Sequence, residues 1–176
     1  MATGQINKLY EAVRDIPDFP KPGILFKDIT PILANGELFK IAINLFINAC
    51  EEKSIQKIVG IDARGFLFGA ATAYHLGLGF VPVRKKGKLP YQTKSAAYQL
   101  EYGEAVVEMH VDAIAPGERI MLIDDLLATG GTSAAAAKLV RQMGGELVGA
   151  QFLIELEFLK GRNHLDSIPI QSFLKY

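Results

Sequence analysis

The sequence predicts an α/β fold: an open, mostly parallel sheet flanked by helices. Three observations carry this expectation. From Lys57 onward, short apolar runs alternate with stretches of helical spacing, the pattern of parallel strands joined by crossover helices. Ile120-Met121-Leu122-Ile123 is apolar at every position, as a central strand buried on both faces must be. No repeat, low-complexity tract or long linker interrupts the 176 residues, so a single domain spanning 1–176 is expected.

Taken in order, Ile6, Leu9, Tyr10 and Val13 have helical spacing. Pro17, Pro20 and Pro22 then predict an extended segment. Leu38, Ile41, Ala42, Leu45, Phe46 and Ala49 trace one face of an amphipathic helix. Lys57 to Ile61 reads as a strand, Phe66 to Leu76 as a helix rich in small residues, and Phe80 to Val83 as a second strand. Tyr98 to Val111 is strand-rich and compatible with a hairpin around Tyr102-Gly103. After the central strand, Thr132 to Met143 reads as a helix stopped by Gly144 and Gly145, and Leu147 to Ile154 as a further strand.

Composition excludes several classes. About half the chain is apolar, enough to fill a core. Lys plus Arg and Asp plus Glu number 19 each, which argues against a dedicated nucleic-acid binder. Cys50 is the single cysteine, so no intrachain disulfide can form and a cytoplasmic location is expected. Met1 to Tyr10 lacks the basic start and long apolar run of a secretory signal. Gly65 to Val83 carries no Asp, Glu, Lys or Arg. Its helix would be roughly 16 Å long, about half a bilayer core, so a buried helix followed by a strand is the better reading. His75, His110 and His164 do not have metal-ligand spacing. Cys50 falls on the helix face pattern as a small core residue.

Ligands of open α/β sheets lie beyond the carboxyl ends of the strands. Three junctions qualify: Asp62 to Gly65, Arg84 to Leu89, and Asp124 to Thr132. The third is the most informative. Two carboxylates, Asp124 and Asp125, end the buried strand; Ala128-Thr129-Gly130-Gly131-Thr132 leads into a helix. A helix N-terminus offers unpaired N–H groups and partial positive charge. Gly130 and Gly131 let the backbone approach a phosphate, and Thr129 and Thr132 add hydroxyls. The upstream carboxylates can accept hydrogen bonds from ribose hydroxyls. Taken singly, each element also has a plain reading: Thr132 as an N-cap, the glycines as a turn, the acids as an ordinary strand end. Together they point to a phosphosugar. Neither G-x-x-x-x-G-K-[ST] nor G-x-G-x-x-G occurs.

The run Ile123-Asp124-Asp125-Leu126-Leu127-Ala128-Thr129-Gly130-Gly131-Thr132 resembles the 5-phosphoribosyl pyrophosphate signature of the type I phosphoribosyltransferases, in wording close to their adenine-specific branch. Asp18-Phe19-Pro20-Lys21-Pro22-Gly23-Ile24-Leu25-Phe26-Lys27-Asp28-Ile29-Thr30-Pro31 resembles that branch as well. The resemblance runs from about Ile16 to the end and is weakest over Gln92 to Ala97. It implies a type I phosphoribosyltransferase fold with a small hood over the base site, formed by about residues 1–34 and the C-terminal segment. The implied reaction joins adenine to 5-phosphoribosyl pyrophosphate, giving AMP and pyrophosphate in purine salvage.

The same resemblance implies roles for individual residues. Ala128 to Thr132 would hold the 5′-phosphate, and Asp124 and Asp125 the ribose. Asp62, Ala63 and Arg64 would form a pyrophosphate loop, whose Asp62-Ala63 peptide can be cis in the family. Arg84, Lys85 and Lys88 would also meet pyrophosphate, Lys88 from a neighbouring subunit, which implies a homodimer. Phe26 would stack on adenine while the backbone of Leu25 and Lys27 reads its edge, and Leu159 would help cover it; the family more often has Arg at the position of Lys27. Tyr91 to Tyr102 would be a lid, with Glu101 in proton handling and Tyr102 at its end. Mg²⁺ would arrive with the substrate rather than on protein ligands. Read without the resemblance, Arg64 is an ordinary helix-start residue, Phe26 is as readily core as stacker, and Glu101 is an exposed strand residue.

Overall fold

A computed structural model describes residues 2–51, 53–99, 104–165 and 168–176. The chain forms two compact units, 1–45 and 46–176.

In the first unit, α1 (Ala2–Ala12) buries Leu9 completely. A two-stranded antiparallel ribbon follows, β1 (Arg14–Pro17) against β2 (Leu25–Asp28), with Pro17 opposite Leu25. The extended segment expected from Pro17, Pro20 and Pro22 is not formed beyond Pro17. Residues 18–23 fold back as a turn, in which Asp18 Oδ1 accepts the Gly23 N–H at 2.8 Å. The Phe19-Pro20 bond is cis. Asp28 accepts the Thr30 N–H at 2.9 Å at the start of α2 (Thr30–Ala34), a short helix without a sequence signal of its own. Asn35 Oδ1 accepts the N–H groups of Glu37 and Leu38. It thereby caps α3 (Gly36–Cys50), the helix read from Leu38 onward.

The second unit is built on a seven-stranded sheet in the order β5-β6-β4-β3-β7-β8-β9. Its strands are β3 (Lys57–Ile61), β4 (Gly79–Lys85), β5 (Thr93–Gln99), β6 (Glu104–His110), β7 (Arg119–Leu127), β8 (Glu146–Glu155) and β9 (Ile170–Lys175). β4, β3, β7, β8 and β9 pair in parallel; β6 and β5 add an antiparallel edge. The sheet is therefore mostly parallel, as the alternating pattern requires. Ile120 to Ile123 are fully buried in its centre. α4 (Arg64–Leu76) packs on β3 and β7, and α5 (Gly131–Gln142) on β5, β6, β7 and β8. The small residues Ala135, Ala136 and Ala137 of α5 share one core with Val107, Met109 and Leu122. Among the described residues no helix is long and apolar enough to cross a membrane.

Three strands are longer than the apolar patterns indicate. β4 carries on through Arg84 and Lys85, because these pair with Val107 and Glu108 of β6. β5 begins at Thr93 because its polar residues pair with β6 throughout; the joining residues 100–103 lie outside the described ones. β7 continues four residues past Ile123, because Leu126 and Leu127 pair with Ile154 and Glu155 of β8. Asp124 and Asp125 therefore sit within a strand rather than after one.

Candidate active site

Register brings the site residues together. Gly60 lies beside Ile123 in the β3–β7 pair, and Ile61 beside Val83 in the β3–β4 pair. The next residues, Asp62, Arg84 and Asp124, therefore lie side by side towards the carboxyl ends of these three inner strands. A cavity of about 320 Å³ opens there. It is lined by Asp62, Ala63 and Arg64 from the first junction, Lys85 from the second, and Asp124, Asp125, Ala128 and Thr132 from the third. All three junctions selected by the strand-end rule contribute.

The Asp62-Ala63 peptide bond is cis. Arg64 is the first residue of α4, and its Nε lies 2.8 Å from Asp125 Oδ2. Arg84 Nε donates to Asp62 Oδ2 at 3.1 Å, and its Nη1 to the Lys88 carbonyl at 3.1 Å. The cationic turn is thus tied back to the first junction. Lys88 itself is exposed. Glu108, a buried acid within an otherwise apolar stretch of β6, accepts the Gly87 N–H at 2.9 Å and the Ser95 hydroxyl at 3.2 Å. The sequence reading missed Glu108, although a lone acid in an apolar strand was a usable signal.

Asp124 and Asp125 form a coupled acid pair. Burial, followed by the negative charge of Asp125, pushes Asp124 well above the ordinary carboxylate range. Burial also raises Asp125, opposed chiefly by the Arg64 guanidinium. Asp124 Oδ1 accepts the Asp125 N–H at 2.9 Å. Gly65 makes this arrangement possible: a Cβ there would stand 2.6 Å from Asp124 Oδ1 and 3.1 Å from the Ile123 carbonyl oxygen. Two carboxyls beside a guanidinium can receive hydroxyl groups on one side and phosphate oxygens on the other.

At the third junction the helix start departs from the plain reading. Gly130, not Thr132, is the N-cap of α5; its φ is 82° and no side chain caps the first turn. The first-turn N–H groups are left to a ligand or solvent. Ala128 and Thr132 line the first cavity, while Thr129 and Gly131 line a second of about 330 Å³. Tyr98 of β5 borders both. A Cβ on Gly131 would sit 3.2 Å from the Tyr98 ring. Nothing in the sequence marked Tyr98, because its place depends on pairing across β5 and β6.

In the first unit, Leu25 is half exposed, and Phe26 meets Phe19 edge-on at 5.1 Å between ring centroids. Lys27 Nζ lies 2.6 Å from Asp15 Oδ1. Phe26 is only partly buried, which does not suit the core reading. In the second unit, Leu159 ends a 3-10 turn (Glu157–Leu159) and is partly exposed. Glu101 and Tyr102 lie outside the described residues. Among the described residues no three His, Cys, Asp or Glu side chains cluster to hold a metal ion.

Residues 28–166 match the phosphoribosyl transferase domain family. An adenine phosphoribosyltransferase from Acidothermus cellulolyticus is 51% identical over 99% of both chains. The crystal structure of adenine phosphoribosyltransferase from Rhodothermus marinus superposes with a TM-score of 0.94 at 51% identity, covering 99% of each chain. That of the Saccharomyces cerevisiae enzyme, complexed with adenine and D-2,5-dideoxy-2,5-imino-altritol 1,6-bisphosphate, gives 0.93 at 43% identity, covering 97% of this chain and 99% of the other. The chain belongs to the adenine phosphoribosyltransferase family of pentosyltransferases.

Proposed function

We propose that the chain transfers the 5-phosphoribosyl group of 5-phosphoribosyl pyrophosphate to adenine, forming AMP and pyrophosphate. One observation supports this reading above the others. A single cavity joins the Asp124–Asp125 acid pair, a guanidinium and an uncapped helix start, which are the groups a phosphorylated ribose with an anionic leaving group requires.

Adenine N9 attacks the anomeric carbon as the bond to pyrophosphate breaks, through a transition state resembling an oxocarbenium ion, and the proton lost from the purine passes to Glu101. Asp124 and Asp125 hold the ribose hydroxyls and favour the positive ring electrostatically. The N–H groups of residues 128–132 hold the 5′-phosphate. Arg64, the Asp62-Ala63 backbone, Arg84, Lys85 and Lys88 take the charge of the departing pyrophosphate. Mg²⁺ held by the substrate rather than by protein ligands would supply charge neutralisation at the departing pyrophosphate. The Arg64–Asp125 pair gives way when substrate arrives: the guanidinium turns to pyrophosphate and the carboxylate to the sugar. Leu25, Phe26, Lys27 and Leu159 take up the base, with residues 1–34 and the C-terminal segment as its hood. Glu101 and Tyr102 belong to the lid that keeps water from the reacting centre. The working enzyme is a cytoplasmic homodimer, with Lys88 of one subunit serving the other.

The test is pyrophosphate release on mixing the protein with adenine, 5-phosphoribosyl pyrophosphate and Mg²⁺. Release that requires all three supports the reading. No release across a range of pH would leave a phosphosugar sensor as the better description.

A further inference from the structure

The 5′-phosphate loop is braced from behind by a second backbone segment. Gly161 opens a 3-10 turn (Gly161–His164) and is buried against residues 128–130. The contact is reciprocal. A Cβ on Gly130 would overlap the Gly161 carbonyl oxygen, and a Cβ on Gly161 would overlap the Ala128 carbonyl oxygen and come within 3.1 Å of the Gly130 nitrogen. Each glycine is thus required by the other, quite apart from the positive φ of Gly130.

The next residue, Arg162, anchors this brace. Its guanidinium makes a two-pronged pair with Glu155, a carboxylate buried at the end of β8, with Nη2 donating to Oε2 at 2.7 Å. Nη1 donates to the Ile170 carbonyl at 3.2 Å and Nη2 to Ser172 Oγ at 3.3 Å, both on β9. Burial acts to raise Glu155, but hydrogen bonds from Arg162 and Ser172 and the charges of Arg162 and Lys175 together bring it below the ordinary carboxylate range. One side chain therefore joins the turn to two strands.

We propose that Gly161 and Arg162 are positioning residues for the 5′-phosphate loop. The Arg162–Glu155 clasp fixes the height of Gly161, and Gly161 sets the height of residues 128–130 beneath the phosphate. This inference rests on the site reading given above. It adds that the brace serves the phosphate end of the substrate and not the pyrophosphate end, which is held by separate elements, α4 and β4.

Two ligands separate these ends. Ribose 5-phosphate and magnesium pyrophosphate are titrated against wild type, Gly161→Ala and Arg162→Lys, with thermal unfolding as the fold control. Gly161→Ala is expected to weaken ribose 5-phosphate by about tenfold or more and to leave pyrophosphate within about twofold. In turnover, KM for the phosphoribosyl donor rises while KM for adenine holds. Arg162→Lys keeps the charge but loses the fork. It shows the same selective loss at smaller size, and it carries the test if Gly161→Ala does not fold. Unchanged binding of both ligands, or equal loss of both, in a folded variant overturns the proposal. Failure of wild type to bind ribose 5-phosphate at all would instead count against the site reading.

Discussion

Gly65→Ala adds one methyl group at the contact between α4 and the acid pair. The new Cβ would stand 2.6 Å from Asp124 Oδ1, 3.1 Å from the Ile123 carbonyl oxygen and 3.2 Å from Asp124 Cα. Ordinary contact begins near 3.4 Å, so the carboxylate must withdraw by about 0.8 Å if the helix holds its place. The neighbouring backbone atoms limit how far strain can be shared. Misplacement on this scale corresponds to a roughly tenfold to hundredfold fall in kcat, or about 1.4–2.7 kcal/mol of transition-state stabilisation. Global stability should fall by no more than about 2–3 kcal/mol, since alanine gains up to about 1 kcal/mol of helix propensity over glycine against about 1–3 kcal/mol of overpacking. Steady-state release of pyrophosphate, paired with thermal unfolding, measures both. Wild-type kcat in a folded Gly65→Ala enzyme would refute the claim that Asp124 must occupy its present position.

Other consequences can be checked with standard measurements. Both acids titrate higher in the folded protein than in the unfolded chain. The folded state therefore binds the extra protons, and stability is lost as pH rises from the ordinary carboxylate range, near 3.8, through the folded values. Asp124→Asn removes that loss, so its Tm at neutral pH should exceed wild type while turnover collapses; a lower Tm would contradict the assigned direction. Asp124→Ala with Asp125→Ala should cripple turnover by at least about a hundredfold without unfolding the protein, and near-normal activity would remove the pair from the mechanism. Cys50 is buried, and burial pushes its thiol above the usual range. A thiol reagent should label it only on unfolding, and rapid native labelling would argue against that environment. Adenine should be preferred to hypoxanthine and guanine by at least about a hundredfold in kcat/KM; a flat preference would defeat the assigned role of residues 25–27.

Much of the arrangement was legible in the chain because local patterns and long-range pairing agree. The apolar run Ile120 to Ile123 could only be a central strand, and the strand-end rule then selected the three junctions that meet at the cavity. Element ends were harder to read. Polar residues at Arg84, Asp124 and Thr93 look like loop in isolation, yet each belongs to a strand whose partner supplies the hydrogen bonds. The proline segment misled for a related reason: φ restriction allows a turn as well as an extension, and the Asp18 carboxylate favours the turn. Tyr98 and the packing of Gly161 against residues 128–130 could not be found by local pattern, because their neighbours come from distant parts of the chain. Tertiary proximity gives them their place, and a single sequence does not display it.

The most direct measurement is a crystal structure of the protein with AMP bound. The 5′-phosphate should rest on the N–H groups from Thr129 to Thr132, with both ribose hydroxyls on Asp124 and Asp125 and the Arg64 side chain turned away from Asp125. AMP seated elsewhere, or bound with the Arg64–Asp125 pair intact and no ribose contact to either acid, would contradict the account.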